Sequence, residues 1–144
     1  MIEQTHMATH PDLIELRRRY DAASASPIAE GAAGLALLGA VFLAASPWIV
    51  GFSALTAITV SNLIAGGALA ALVIALTAAY GRMHGITFVV PAIGIWAIVA
   101  PWLIVGAMDT TRTIWTNACA GGAIVFFGLV MLAVGFLRAR RPGL

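Results

Sequence analysis

The chain has 144 residues, of which 61% are hydrophobic and only 10% are charged, and its net charge is +2. A soluble domain of this size needs more polar surface than these residues supply, so the composition excludes an ordinary water-soluble fold. The eight basic residues are all arginine, and no basic or aromatic surface large enough for nucleic acid accompanies them. The composition indicates a membrane protein with a single domain.

Residues 1–27 are more polar than the rest and are predicted to form a cytoplasmic N-terminal segment. Thr9 is followed three positions later by Asp12, with Pro11 in the first turn, a pattern that is typical of a helix start. Apolar residues then recur at helical spacing. We interpret residues 11–23 as a short amphipathic helix, either at the cytoplasmic membrane interface or in a merely soluble segment.

Four apolar blocks follow and predict an all-α, polytopic protein with four transmembrane helices between residues 28 and 137. We expect the spans at residues 28–46, 62–80, 86–100 and 114–137. The first should end or kink near Ser46, because proline disfavours the helical conformation in the residue before it. Residues 138–144 are predicted to be a basic cytoplasmic tail.

The apolar region also contains an internal duplication with a period of about 54 residues. The recurring residues are Ser46, Pro47, Trp48, Asn62, Gly66 and Gly67 in the first copy, and Ala100, Pro101, Trp102, Asn117, Gly121 and Gly122 in the second. Repeat one covers about 28–81 and repeat two about 86–137. Since each copy crosses the membrane twice, both copies share one orientation, and their pseudo-twofold axis lies along the membrane normal.

The arginines predict which side of the membrane each end occupies. Seven of them lie in the N-terminal segment, in the loop after the second span and in the tail, which four crossings place on one side. Only Arg112 falls on the other side, near Asp109. By the positive-inside rule both termini are cytoplasmic, and the basic groups there are expected to meet the lipid bilayer.

The duplicated Pro-Trp and Asn motifs resemble those of the SPW repeat family, which consists of small bacterial and archaeal membrane proteins. The resemblance covers residues 34–136 and departs from the family's tripeptide at Ala100, so a role for the serine hydroxyl survives only in the first copy. It implies two repeats of two helices in a prokaryotic plasma membrane. It implies no particular activity, substrate or cofactor.

Two interpretations are open for each repeated motif. Trp48 and Trp102 either anchor helix ends at the outer interface, where indole is favourable, or face each other across a cleft. Asn62 and Asn117 are either helix N-caps, or partners in hydrogen bonds between helices (to the loops or to one another), or ligand-binding groups. The Gly-Gly pairs, together with an alanine stripe on the first span, predict close packing between helices.

The chain lacks the groups on which enzyme or cofactor chemistry depends. The predicted spans contain no histidine and no embedded charge, which argues against haem, a metal site or a proton relay. Cys119 is the single cysteine and cannot form an intrachain disulfide. We therefore predict no enzyme activity, cofactor or metal, and expect a structural or accessory component that binds a membrane protein or its own copies. The alternative is a small transporter or lipid-binding module with a cleft between the repeats.

Overall fold

The computed structural model describes residues 10–24, 27–78, 85–105 and 111–140. Within these ranges the regular elements are all helical, as the apolar blocks predicted. Five α-helices follow one another in the chain: α1 (Pro11–Ser24), α2 (Pro27–Val50), α3 (Thr56–Ala78), α4 (Val89–Ala100) and α5 (Thr111–Ala139). A π-helical segment, Pro101–Val105, continues directly from α4.

Three of these helices, α2, α3 and α5, are long and apolar enough to cross a membrane. Helix α2 alone is about 36 Å long at ~1.5 Å per residue, which exceeds a hydrocarbon core of about 30 Å. The fourth apolar helix is shorter: it consists of α4 and most of the π-helical segment, Val89–Ile104. The short helix predicted for residues 11–23 is confirmed as α1, while its position relative to a membrane remains a prediction.

Two predicted helix boundaries were wrong. Helix α2 does not end near Ser46 but continues through Pro47 to Val50. Helix α3 begins at Thr56, well before Asn62, so that Asn62 lies inside the helix. Both differences lengthen the helices at the end where the Pro-Trp motifs lie. The loop Gly51–Leu55 between α2 and α3 is therefore short, and Gly51 turns the chain there with a φ of +86°.

The helices α2 to α5 pack around a common core. Helix α2 packs along both α3 and α5, α4 packs along α5, and α3 meets α4 over a smaller area. Helices α3 and α5 are thus not neighbours but lie at diagonally opposite corners of the four-helix bundle. The side of α2 that faces the core is rich in alanine, with Ala33, Ala36 and Ala40 fully buried against larger residues such as Leu69 and Ile124.

The first glycine of each Gly-Gly pair lies where two helix backbones meet. A Cβ atom on Gly66 would lie 2.5 Å from the Ala40 carbonyl oxygen, and one on Gly121 would lie 2.6 Å from that of Gly94. The second glycines, Gly67 and Gly122, have open space at the Cβ position. The predicted close packing is therefore present, but only one glycine of each pair takes part in it.

This difference gives a matched pair of variants. Gly66→Ala should lower the free energy of unfolding by about 1–3 kcal/mol, because the new methyl group overpacks the contact with α2. Gly67→Ala should be neutral or stabilise by up to about 1 kcal/mol, because alanine has the higher helix propensity. Reversible unfolding in detergent measures both, and an equal loss in the two variants would contradict the packing described.

Candidate functional site

The two repeated asparagines pair with each other in the centre of the helix bundle. The amide nitrogen Nδ2 of Asn62 donates to Oδ1 of Asn117 at 2.9 Å, and Nδ2 of Asn117 donates back to Oδ1 of Asn62 at 3.0 Å. Both side chains are buried, with exposed fractions of 1% and 0%. The pair thus joins α3 and α5 across the diagonal of the bundle.

Each amide nitrogen carries a second hydrogen, and the two repeats use it in different ways. Nδ2 of Asn117 donates directly to the backbone carbonyl of Ala97, at 3.0 Å. Nδ2 of Asn62 is 3.4 Å from Oγ of Ser46, which in turn donates to the backbone carbonyl of Leu43 at 2.8 Å. The second hydrogen is therefore directed toward α2 in one repeat and toward α4 in the other.

The two carbonyl oxygens in this network have the same origin in the sequence. An α-helical carbonyl normally accepts from the N–H group four residues later, which for Leu43 and Ala97 is the position of a proline. Proline has no N–H group and leaves that carbonyl without its regular donor. In a membrane interior an unsatisfied carbonyl costs several kcal/mol, so side chains from the same or a neighbouring helix must supply the donor.

The hydroxyl of Ser46 explains the difference between the repeats. In repeat one the hydroxyl supplies the donor for Leu43 and accepts from Asn62. In repeat two the corresponding residue is Ala100, which has no hydroxyl, and the Asn117 amide reaches the carbonyl itself. The departure from the tripeptide at Ala100 is therefore compensated by the asparagine of the same repeat.

These contacts decide between the interpretations of the asparagines. Asn62 and Asn117 lie inside α3 and α5, so the N-cap interpretation is wrong. Hydrogen bonding between helices is confirmed, and the partner of each asparagine is the other. The side-chain amide groups form hydrogen bonds with each other and with groups of α2 and α4.

The prolines of the motif lie inside the bundle, whereas the tryptophans lie at its surface. Pro47 and Pro101 are buried, whereas Trp48 and Trp102 are exposed by 57% and 51%. The cleft interpretation needs both indoles and both asparagines to converge on one opening. That geometry is not present, because the indoles point outward and the asparagines bond to each other.

Sequence reasoning missed several contacts near the Pro-Trp end. Nη1 of Arg112 donates to the carbonyl of Val50 at 3.2 Å, and the arginine thereby joins the start of α5 to the end of α2. Phe52, in the loop after α2, is buried in a small cluster with Ile58 and Ala100. The sequence signal for Arg112 was that it is the single arginine predicted to lie on the non-cytoplasmic side. Asp109, which we placed beside Arg112, lies outside the described residues.

The network is made entirely of neutral groups. Carboxamides, a hydroxyl and backbone carbonyls hold helices in register but are neither acids nor bases near neutral pH. In residues 10–24, 27–78, 85–105 and 111–140, no group of three or more His, Cys, Asp or Glu residues could hold a metal ion. The arrangement is chemically suited to joining helices.

These features define an all-helical protein in which paired Pro and Asn motifs hold apolar helices together. The family model for the SPW repeat domain matches residues 30–131, and the chain belongs to this family. Family membership, together with the three long apolar helices, indicates an integral membrane protein. No curated protein and no solved structure matches the chain.

The asparagine pair can be tested by a double-mutant cycle. Asn62→Ala and Asn117→Ala should each lower the free energy of unfolding in detergent or bicelles, because each leaves the opposite carboxamide buried without its partner. The double variant should lose less than the sum. Hydrogen bonds between membrane helices are typically worth about 0.6 kcal/mol and at most ~1.7 kcal/mol, and we expect the coupling energy in this range. Strictly additive losses would show that the two side chains do not interact.

Ser46→Ala is the matched control for that cycle. It gives repeat one the same residue as repeat two, where the asparagine bonds to the carbonyl without a hydroxyl. The expected loss is below about 1 kcal/mol and smaller than that of Asn62→Ala, since Asn62 keeps a carbonyl within its neighbourhood to accept the hydrogen. A loss as large as that of Asn62→Ala would show that the hydroxyl cannot be replaced.

Proposed function

We propose that this protein is a structural or accessory component of a prokaryotic plasma membrane, acting by association of its helices with a membrane protein or with further copies of itself. The observation that carries the proposal is how the repeated polar groups are used. Asn62, Asn117 and Ser46 bond within the bundle, which leaves an apolar outer surface as the main means of interaction.

Open glycines on the outer surface support this proposal. Gly67 follows Gly66 on α3 and Gly122 follows Gly121 on α5, but neither meets another side chain at its Cβ position. Small outward-facing residues permit the close backbone approach by which membrane helices associate. The transporter or lipid-binding alternative has no comparable support, because the side chains that would line its cleft do not converge.

We also propose the arrangement in the membrane: α2, α3, α4 with its π-helical segment, and α5 are four spans, forming two tandem repeats in the same orientation. Corresponding contacts at a spacing of 54 or 55 residues support it. Gly66 packs on Ala40 as Gly121 packs on Gly94, and the reciprocal asparagine pair is what a twofold relation between the repeats requires. In this arrangement residues 1–27 and 138–144 are cytoplasmic.

The four-span arrangement predicts the side on which reporters become active. Fusions at Arg82 and after Leu144 should both report a cytoplasmic position, because an even number of crossings separates them and arginines flank both. A fusion at Ala107, between α4 and α5, should report the opposite side. An external signal from Arg82 or from the C-terminus would overturn the arrangement.

Association through the outer face predicts a defined complex in mild detergent. Crosslinking of the native chain at its normal abundance should yield a stoichiometric partner or oligomer. Gly67→Leu or Gly122→Leu should weaken that complex while leaving the free energy of unfolding unchanged or raising it by up to about 1 kcal/mol, because leucine has a higher helix propensity than glycine.

Gly34→Leu is the matched control, because Gly34 also has open space but lies outside the repeated Gly-Gly pairs. It should leave the complex intact if the association uses the surfaces of α3 and α5. A native chain that stays monomeric and without a partner would contradict the proposed function.

A further inference from the structure

Helix α4 begins well inside the length that its neighbour α5 covers. The two helices touch where Gly128 meets Pro91, since a Cβ on Gly128 would lie 2.9 Å from the proline nitrogen. From this contact α5 continues to Ala139, about 16 Å further along its axis, whereas α4 starts at Val89, only about 3 Å away. The end of α5 therefore extends about 13 Å beyond the start of α4.

A comparison of α4 with α2, its counterpart in repeat one, shows nearly the same difference in helix length. About 30 Å of helix precede Pro47 in α2, whereas only about 18 Å precede Pro101 in α4. The two prolines are at corresponding levels, because the asparagine pair bonds to the turns that contain Leu43 and Ala97. Thus α4 is about 12 Å shorter than its counterpart, and the difference lies at the end away from the Pro-Trp motif.

The chain at the start of α4 is a turn that bears exposed apolar residues. Ile86 and Phe88 have exposed fractions of 40% and 60%. The first helical hydrogen bonds run from the amide of Val89 to the carbonyl of Ile86 and from that of Val90 to the carbonyl of Thr87. A turn at the start of a helix is not stable in contact with hydrocarbon, because the amides that precede the first helical hydrogen bonds need polar partners.

We propose that the cytoplasmic leaflet is thinned over the start of α4, and that phospholipid headgroups with their water reach the level of Phe88. The proposal rests on the proposed four-span arrangement, which puts this end of α4 on the cytoplasmic side. A helix shorter than the hydrocarbon core is accommodated by local thinning of the bilayer. Headgroups also supply polar partners for the turn, which acyl chains cannot do.

The two sides of the bundle then match different thicknesses of the bilayer. On the side of α2 the bilayer meets a helix of full length, and on the side of α4 it meets one about 12 Å shorter. The protein is therefore expected to prefer lipids that tolerate a thin leaflet around α4. The leaflet around α2 keeps its ordinary thickness.

Thiol labelling at matched depths tests this proposal. Phe88 and Gly34 lie the same distance in sequence before Pro101 and Pro47, and both positions are open outward. In a Cys119→Ala background, Phe88→Cys and Gly34→Cys are reconstituted in phosphatidylcholine vesicles and treated with a charged, membrane-impermeant maleimide. Ile95→Cys, deeper on α4 and also exposed, gives the rate for hydrocarbon, and labelling in SDS confirms that each thiol is reactive.

Phe88→Cys should react at least about tenfold faster than Gly34→Cys and Ile95→Cys, because charged reagents do not enter hydrocarbon. A rate at position 88 as low as at Ile95 would overturn the proposal and show that hydrocarbon or a protein segment covers this turn. An equally fast reaction at position 34 would also overturn it, since the whole level would then lie outside the hydrocarbon.

Arg140→Cys separates this result from a failure of the four-span arrangement. Arg140 lies just after α5, and four spans place it on the same side as the start of α4. In vesicles of one orientation, both thiols should react from the same side. Fast labelling of position 88 from the side opposite to Arg140 would refute the arrangement itself, whereas slow labelling at 88 with Arg140 on the expected side refutes only the thinning.

Discussion

The structure depends on one constraint: a proline inside an apolar helix leaves a carbonyl group without its donor. In water this would cost little, but in a membrane the group must find a partner in the protein. The carbonyls concerned are those of Leu43 and Ala97; Ser46 donates to the first, and Asn117 donates to the second. In each repeat, therefore, the proline, the carbonyl four residues before it and the asparagine of the next helix form one unit, with Ser46 lying between the carbonyl and Asn62 in repeat one.

The same unit also sets how the helices fit together. Each carboxamide bonds to its counterpart and to the helix of its own hairpin, so the full set of bonds forms only when all four apolar helices are aligned. A slip of one helix by a single turn, about 5.4 Å, would break several bonds at once and leave buried amides unsatisfied. The glycine contacts of Gly66 and Gly121 require the same alignment, because no larger side chain fits at those positions.

The helical class, the repeat family and the importance of the Pro, Asn and Gly positions could be predicted from the sequence, because rare residues at a fixed spacing stand out in an apolar chain. The ends of the helices were predicted less well. Proline was expected to end or kink α2 near Ser46, but Ser46 donates to the carbonyl that lost its donor, and the helix continues to Val50. The second span was expected to begin at Asn62 and the fourth near Ile114, whereas these helices begin at Thr56 and Thr111, so that the N-cap interpretation of the asparagines does not hold. The repeat suggested a hydrogen bond between the two asparagines, among other interpretations. Only the three-dimensional arrangement of the helices shows that they bond to each other.

The reciprocal asparagine pair has a consequence for how such a chain could arise. The contact is self-complementary, so a two-helix chain with one motif could form it with an identical neighbour. Such a dimer would exist only above its dissociation concentration and would dissociate on dilution in the bilayer. Joining two copies in tandem makes the encounter intramolecular and independent of expression level. It also frees the halves to diverge, and the loss or gain of one hydroxyl between Ser46 and Ala100 is a divergence that two identical subunits could never show.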